Sequence, residues 1–287
     1  MRVPAKAIPY LQVTPLAVAF LLFLLAPLLM VLVVSFFDFD MYTGLIPEFT
    51  WKNYVDLFTS RNTLDLYLKT LKYAAIVWAV TLVIGFLIAH FLVFHVRNIL
   101  VAIGLFLLCT VPFWTSNIIR MISWIPLLGK YGVINQALMA LGIVDQPVEW
   151  LLFSEFAVIV AYVHLFTLFM IVPIFNSMAR IDKSLIEAAR DAGASRWRIM
   201  TEIIIPLSRT GIALGSIFVI ALVMGDFFVV KVMSGGRSAS VVMGVFEEVN
   251  LLFYPPAAAK SVVLLLFVSF LIAGILRIVD VRGELTR

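Results

Sequence analysis

From residue 11 to residue 37 the chain runs without a single charged side chain, and five further stretches are almost as apolar. They cover roughly residues 71–94, 99–124, 156–176, 211–232 and 261–279. An α-helix rises 1.5 Å per residue, so about 20 apolar residues cross the hydrocarbon of a bilayer. Inside that hydrocarbon every backbone N–H and C=O must find a partner within the protein, and a helix supplies one locally. The pattern therefore predicts an all-α integral membrane protein with about six transmembrane helices, forming one membrane domain over residues 1–287. Composition agrees. Charged residues make up 13% of the 287, where a soluble domain has about 25%, and the mean hydropathy is +1.09.

The same numbers exclude other classes. The net charge of +4 is not a nucleic-acid signal, because the basic residues sit in loops between apolar runs and set orientation there. No nucleic-acid partner is expected; membrane lipid is. Cys109 is the only cysteine, so no intramolecular disulfide or cysteine metal site can form. It reads as a small apolar packing residue. The first apolar run exceeds the about 7–15 residues of a signal-peptide core and lacks a small-residue cleavage site, so it reads as a retained first span. Pro27, Pro112 and Pro173 lie in or near spans, where each removes a backbone donor and predicts a kink.

With both ends on the cytoplasmic side, twelve Lys and Arg fall inside and nine outside, which favours that orientation. Two loops on the other side carry structure of their own. Phe49 to Tyr54 precedes a short amphipathic run at residues 55–58. The second run, after Gly129-Lys130-Tyr131-Gly132, is expected to be a short helix starting at Asn135 and stopped by Gly142.

One polar block stands between the fourth and fifth spans, at about residues 180–210. Ser184 and Glu187 have capping-box spacing, so a helix is expected to start at Ser184. Ala188, Ala189 and Ala192 favour the helix, and Gly193 offers the left-handed turn that ends it. Ser195 then caps a second helix that Pro206 breaks. Leu185, Ala188, Ala189 and Ala192 form a small apolar face, while Glu187 and Asp191 share another with Arg190 between them. Mixed charge suits a protein contact better than anionic lipid. A solvated interfacial helix is the alternative.

Glu187-Ala188-Ala189, Gly193 four residues after Ala189, and Ile204-Ile205-Pro206-Leu207 together resemble the EAA loop of ATP-binding-cassette importer permeases. Val111-Pro112-Phe113-Trp114-Thr115, Gly132 with Asn135, Asn53-Tyr54, and Gly225-Asp226-Phe227 followed by Ser234-Gly235-Gly236 are similar to the spermidine/putrescine permease subgroup. The resemblance covers nearly the whole chain. It implies the type I importer permease fold with a cytoplasmic coupling helix, in which Glu187, Ala188, Ala189 and Gly193 couple to the ATPase. It also implies the partners: two cytoplasmic ATP-binding subunits that hold ATP and Mg, a second homologous permease and a periplasmic solute-binding protein. The location implied is the bacterial inner membrane. One departure is that Val230-Lys231-Val232-Met233 stands where many members of the subgroup have a proline.

The chain itself has no phosphate loop. Around Gly129-Lys130, Trp124 occupies the first glycine position and Tyr131 the hydroxyl position. It is read as a non-catalytic subunit with no cofactor of its own, no catalytic residue and no metal site.

An ionisable group within a span is a functional candidate. Asp226, placed inside the fifth span, is expected to meet a cationic solute or to pair with Lys231 or Arg120. Trp114, Asn117 and Arg120 follow one another at three-residue spacing and are expected to share a face at the end of the third span. That face is either part of the substrate pathway or an interfacial aromatic belt. His90 and His164 are expected to make interhelical hydrogen bonds. The function expected is import of a small organic solute, a polyamine such as spermidine or putrescine, by alternating access. The alternatives are an amino-acid-like or opine-like solute, or a stand-alone secondary transporter, which would need internal repeats and more carboxylates in its spans.

Overall fold

The structure is a computed structural model that describes residues 8–40, 44–96 and 98–279. Five of the twelve basic residues counted on the cytoplasmic side, Arg2, Lys6, Arg97, Arg282 and Arg287, lie outside the described residues. Four helices are long and apolar enough to cross a membrane, at Gln12–Val34, Arg61–Phe94, Glu155–Met178 and Tyr254–Ile278. Two sharply bent helix pairs raise the number to six if each pair counts as one span. The all-α architecture holds, with a two-stranded hairpin as an addition.

Clustering of contacts divides the chain into two units. The first comprises residues up to Asp65 together with Gly244–Leu266. It opens with α1 (Ile8–Phe20), a π turn at Leu21–Leu25 and α2 (Ala26–Val34). In the π turn the Ala26 N–H reaches back five residues to Leu21 O. Pro27 sits one residue further on; its ring clashes with a preceding carbonyl, and the helix widens to accommodate it. Every side chain from Gln12 to Val33 is exposed, so this span is apolar all round, as a lipid-facing helix should be.

The hairpin follows. Strands β1 (Phe37–Asp40) and β2 (Gly44–Phe49) pair antiparallel, with Phe39 opposite Leu45. Gly44 takes a φ of +77° at the turn. Short helix α3 (Lys52–Thr59) anchors both to the end of α2. The buried Asn53 side chain donates to Ser35 O at 3.0 Å and Phe37 O at 2.8 Å. The hydroxyls of Ser35 and Tyr54 are 2.6 Å apart. Phe36 packs on Phe49, Trp51 and Tyr54 with ring centroids at 5.2, 5.0 and 5.0 Å. The Asn53-Tyr54 pair therefore fastens the chain's exit from its first span.

The second unit comprises Leu66–Met243 and residues from Phe267 on. Its elements, in order, start with α4 (Arg61–Phe94), α5 (Ile99–Thr110), α6 (Asn117–Ile122), α7 (Trp124–Leu128) and α8 (Val133–Ala140). Helices α9 (Glu155–Met178), α10 (Lys183–Asp191), α11 (Arg196–Ile199), α12 (Ile205–Leu207), α13 (Arg209–Gly225) and α14 (Phe228–Met233) follow. The chain continues through α15 (Val241–Asn250) and α16 (Tyr254–Ile278), whose residues 244–266 belong to the first unit.

The core of the second unit is the contact between α9 and α13. Gly211 and Gly215 are four residues apart and so lie on one face. A Cβ on Gly211 would stand 2.4 Å from Pro173 O, and one on Gly215 2.7 Å from Met170 Sδ. Gly85 of α4 faces the same Met170 side chain: a Cβ added there would stand 2.8 Å from its Cγ. Small residues at these points let backbones approach closely, the usual way in which membrane helices gain packing. Polar ties reinforce the contact. Trp78 Nε1 donates to Ser216 Oγ at 2.8 Å, the Tyr73 and Ser238 hydroxyls are 2.6 Å apart, and the Val241 N–H donates to Thr70 Oγ1 at 3.0 Å.

Several expected boundaries are corrected. The third span is not one helix over 99–124. It breaks at Thr115 and Ser116, and the two parts meet at 95°. Pro112 opens a 3-10 turn over Val111–Trp114, and Ser116 starts α6 by accepting the Ile118 N–H. The fifth span is helical only to Gly225, with a 66° bend at Ser208 where α12 meets α13. Helix α4 begins ten residues before the expected 71, and α16 begins at Tyr254 rather than at 261. Pro255 and Pro256 fit the first turn of α16, whose N–H groups need no helical partner.

A methyl group at Gly211 must displace backbone, an overpacking that costs about 1–3 kcal/mol. At Gly104 nothing lies within 4 Å of an added Cβ. Gly211→Ala should therefore lower the melting temperature of the purified protein, and Gly104→Ala should leave it unchanged. Melting curves of the two variants, recorded in parallel in one detergent, check this.

Candidate functional site

The polar block folds as helix, turn and helix, but it starts earlier than the capping-box spacing implies. Asp182, not Ser184, is the N-cap of α10, and its carboxylate accepts the Ser184 N–H at 2.9 Å. That hydrogen bond holds the Asp182 carboxyl below the usual carboxylate range. A carboxylate is the stronger acceptor and lies beside the helix's positive end, so it takes the cap from the serine. The far end closes as expected. Gly193 has a φ of +79°, its N–H donates to Arg190 O, and the Ala194 N–H donates to Ala189 O, both at 2.9 Å. This double bond to the last turn is a Schellman closure. Ser195 caps α11 by accepting the Arg198 N–H, and Arg198 Nε donates to both carboxylate oxygens of Glu202 at 3.0 Å.

Glu187, Ala188 and Gly193 are exposed, and Ala189 is half-buried. Leu185 and Trp197 are also exposed, at 50% and 76%. The small apolar face therefore looks outward, and the Trp197 indole is exposed as well. The block is fixed from below by Ile186 and Ile199, at 7% and 4% exposure. Sequence reading missed these two anchors. The signal was present in Leu185-Ile186, since adjacent helical residues cannot both face inward.

Asp226 is not within a helix. It follows α13 in extended conformation, with φ −95° and ψ 136°. Its Oδ1 accepts the Val229 N–H at 2.9 Å and the Tyr162 hydroxyl at 3.2 Å. The first of these bonds satisfies an N–H in the first turn of α14, whose N-cap is Phe227, so the carboxylate has a local reason to stand at this break. Tyr162, fully buried on α9, is a partner that the sequence did not single out. The Ser240 hydroxyl also lies 3.5 Å from Asp226 O. The loop beyond is tight: Gly235, with a φ of +57°, packs against the Phe153 ring, where a Cβ would stand 2.7 Å away.

The break in the third span gathers a different group. Asn117 and Arg120 share the short α6, and Arg120 Nη2 donates to Asn117 Oδ1. Arg120 is 8% exposed and lies 6.0 Å from the centre of the Phe113 ring. Trp114 does not join them. It sits before the break and is 87% exposed. Trp124 Nε1 donates to His164 Nδ1 at 3.0 Å, which ties α7 to α9. His90 stacks among Phe86, Phe94 and His95 of its own segment.

Asn135 lies inside α8 rather than at its start, and Gly132 is the N-cap. The Asn135 amide bridges two segments, donating to Gly129 O at 3.0 Å and Val148 O at 3.1 Å and accepting the Val148 N–H at 2.7 Å. A Cβ at Gly132 would stand 2.6 Å from Leu127 O. Lys130 and Glu149 close the loop with a 2.6 Å ion pair, which raises the lysine's pKa and lowers the glutamate's.

Apolar spans, two of them interrupted, and an exposed helix–turn–helix block between spans define an integral membrane protein with a surface open to a partner. The sequence comparisons agree. Residues 81–282 match the binding-protein-dependent transport system inner membrane component family, and the chain belongs to that family. It is 34% identical over 256 residues to the spermidine/putrescine transport system permease protein PotB of Escherichia coli, covering 88% of this chain and 90% of the relative. The PotB protein of Haemophilus influenzae is 32% identical over 252 residues, covering 87% and 86%. The osmoprotective compounds uptake permease protein GgtC of Synechocystis is 29% identical over 270 residues, covering 90% and 94%. In three dimensions the chain is similar to a chain of a bacterial alginate ABC transporter, crystallised with alginate pentasaccharide-bound periplasmic protein. The TM-score is 0.74 at 17% identity, covering 93% of this chain and 92% of that one. The type I importer permease fold is thereby established.

Asparagine at 226 keeps the acceptor for Val229 and Tyr162, and alanine removes it. Asp226→Asn should retain native stability. Asp226→Ala should lose about 1 kcal/mol, the usual net worth of a hydrogen bond. Hydrogen exchange of the 228–233 amides distinguishes them, with faster exchange expected in the alanine variant alone.

Proposed function

We propose that this chain is one of two permease subunits of an importer that carries a polyamine, such as spermidine or putrescine, across the bacterial inner membrane. The observation that carries the cargo is the 34% identity, over 88% of the chain, to a permease named for spermidine and putrescine. Asp226 supports it chemically. Its Oδ1 accepts from Tyr162 and Val229, and a carboxylate retained at a span break suits an ammonium group. A second reading, another small organic solute, has one observation in its favour: a 29% identical relative named for osmoprotective compounds.

In this proposal both termini are cytoplasmic and the 180–210 block faces the cytoplasm. Two ATP-binding subunits, which hold ATP and Mg, receive the exposed face of Glu187, Ala188, Ala189 and Gly193. Their closure on ATP moves the block, and the cavity between this chain and a homologous permease switches from outward to inward access. A periplasmic solute-binding protein delivers the cargo. The chain itself performs no catalysis.

Glu187→Lys reverses a charge on the docking face, and Gly193→Pro removes an N–H that the turn uses. Each variant complex should still insert, but should lose most of its ATPase subunit on purification and its polyamine-stimulated ATP hydrolysis. Unchanged assembly and uptake in both would reject the coupling role. An intact complex in proteoliposomes whose ATP hydrolysis responds to another solute but not to spermidine or putrescine would reject the cargo.

Orientation has its own check. In a Cys109→Ser background, an impermeant thiol reagent applied from outside should label Thr50→Cys and spare Ser195→Cys. The opposite pattern would invert the topology.

A further inference from the structure

Behind the break in the third span lies a cavity of about 240 Å³, whose wall includes Cys109, Pro112, Arg120, His164 and Thr167. Most of its lining is apolar, with Leu168 and Ile171 completing the wall, and the two ionisable side chains Arg120 and His164 stand out against it. Arg120 is nine-tenths buried, and only part of its donor set is used: Nη2 donates to Asn117, while buried Nε has no hydrogen-bond partner. A guanidinium N–H buried without an acceptor carries a desolvation cost larger than that of a neutral donor. His164 adds a second donor. Its Nδ1 accepts from Trp124 Nε1, so the neutral ring carries its proton on Nε2. The Thr167 hydroxyl is 2.5 Å from Val163 O and spends its proton there. Among the described residues no carboxylate lines the cavity.

We propose that this cavity binds one oxyanion group, a carboxylate or a phosphate. A fixed positive charge, the unsatisfied Arg120 Nε–H and the His164 Nε2–H match its lone pairs, and hydrogen bonds to ionised partners are about twice as strong as neutral ones. The volume lies below the roughly 300–1,000 Å³ of a pocket for a drug-sized molecule, so it holds the charged end of a ligand rather than a whole polyamine. Its place also separates it from Asp226. Tyr162 and His164 are two residues apart on α9, about 200° around the helix, so the Asp226 carboxylate and the Arg120 cavity occupy different faces. The site does not depend on which cargo the importer carries.

Cys109, the chain's only cysteine, stands in the wall and reports on the cavity. The intact complex is placed in phosphatidylcholine nanodiscs and treated with methanethiosulfonate reagents of opposite charge. Labelling is read on this chain by mass spectrometry and normalised to a free thiol. The anionic reagent should react roughly tenfold faster than the cationic one, because Arg120 sits beside the path. Arg120→Met should remove the preference, and Arg120→Lys should keep it. Acetate or inorganic phosphate should slow labelling and raise the melting temperature of the unmodified complex, but not of the Arg120→Met complex. If the protection comes instead from phosphatidylglycerol in the disc, the oxyanion is a lipid headgroup; if from the soluble anions, it is a free ligand. Should the thiol resist both reagents, the melting temperature decides. No stabilisation by either anion source, with no charge preference in labelling, overturns the site.

Discussion

The second unit depends on one close contact, the approach of α13 to α9 at Gly211 and Gly215. In lipid there is no hydrophobic gain from bringing two apolar helices together, so contact area and hydrogen bonds must hold them. Removing side chains at two points lets α13 rest on Pro173 O and Met170. Met170, with no exposed surface, is then enclosed by Gly215 on one side and Gly85 on the other. Once α13 sits there, Ser216 is in reach of Trp78, and Asp226 at its end is in reach of Tyr162. The candidate chemistry at residue 226 is thus a product of packing some three turns away.

The break after Ser116 and the end of α13 at Gly225 each stand close to an ionisable side chain, Arg120 and Asp226, and the association is physical. A helix interruption leaves backbone groups without their usual partners, which hydrocarbon does not tolerate but a polar side chain can relieve. Asp226 accepts the Val229 N–H, and Ser116 accepts the Ile118 N–H. The same interruption gives an Asp or an Arg room to turn toward other polar atoms, as Arg120 does toward Asn117.

Much of the fold was legible because it follows from length and hydropathy alone: the six apolar stretches, the polar block between the fourth and fifth, and the left-handed turn at Gly193. What was not legible required knowing which acceptor wins a local competition. Asp182 and Ser184 both lie where α10 could start, and only geometry shows the carboxylate taking the Ser184 N–H. Asn135 reads as a helix start by residue type, yet its amide is drawn inward by Gly129 and Val148, thirteen residues away in the latter case. The spacing of Trp114, Asn117 and Arg120 implied one face because it assumed an unbroken helix; Ser116 ends that assumption. Tyr162 carries no mark in the sequence, since a tyrosine in an apolar run looks like any other core aromatic. The hairpin at 37–49 was hidden because alternation in so short a stretch does not rise above aromatic loop composition.

The bend at Ser208 gives the polar block a mechanical meaning. From Arg196 to Leu207 the chain is helical throughout, including a π turn at Met200–Ile204. Twelve residues at 1.5 Å each make an arm about 18 Å long. At its far end stands the Gly193 turn; at its near end, 66° away in direction, stands α13. Ser208 is buried at the corner and its hydroxyl is held to Ile204 O at 2.5 Å. A sideways force on the turn would reach α13 as torque about this corner rather than as translation along it. At Gly211 and Gly215 that torque would be met by backbone contact and by the Trp78–Ser216 hydrogen bond, not by interlocking side-chain ridges.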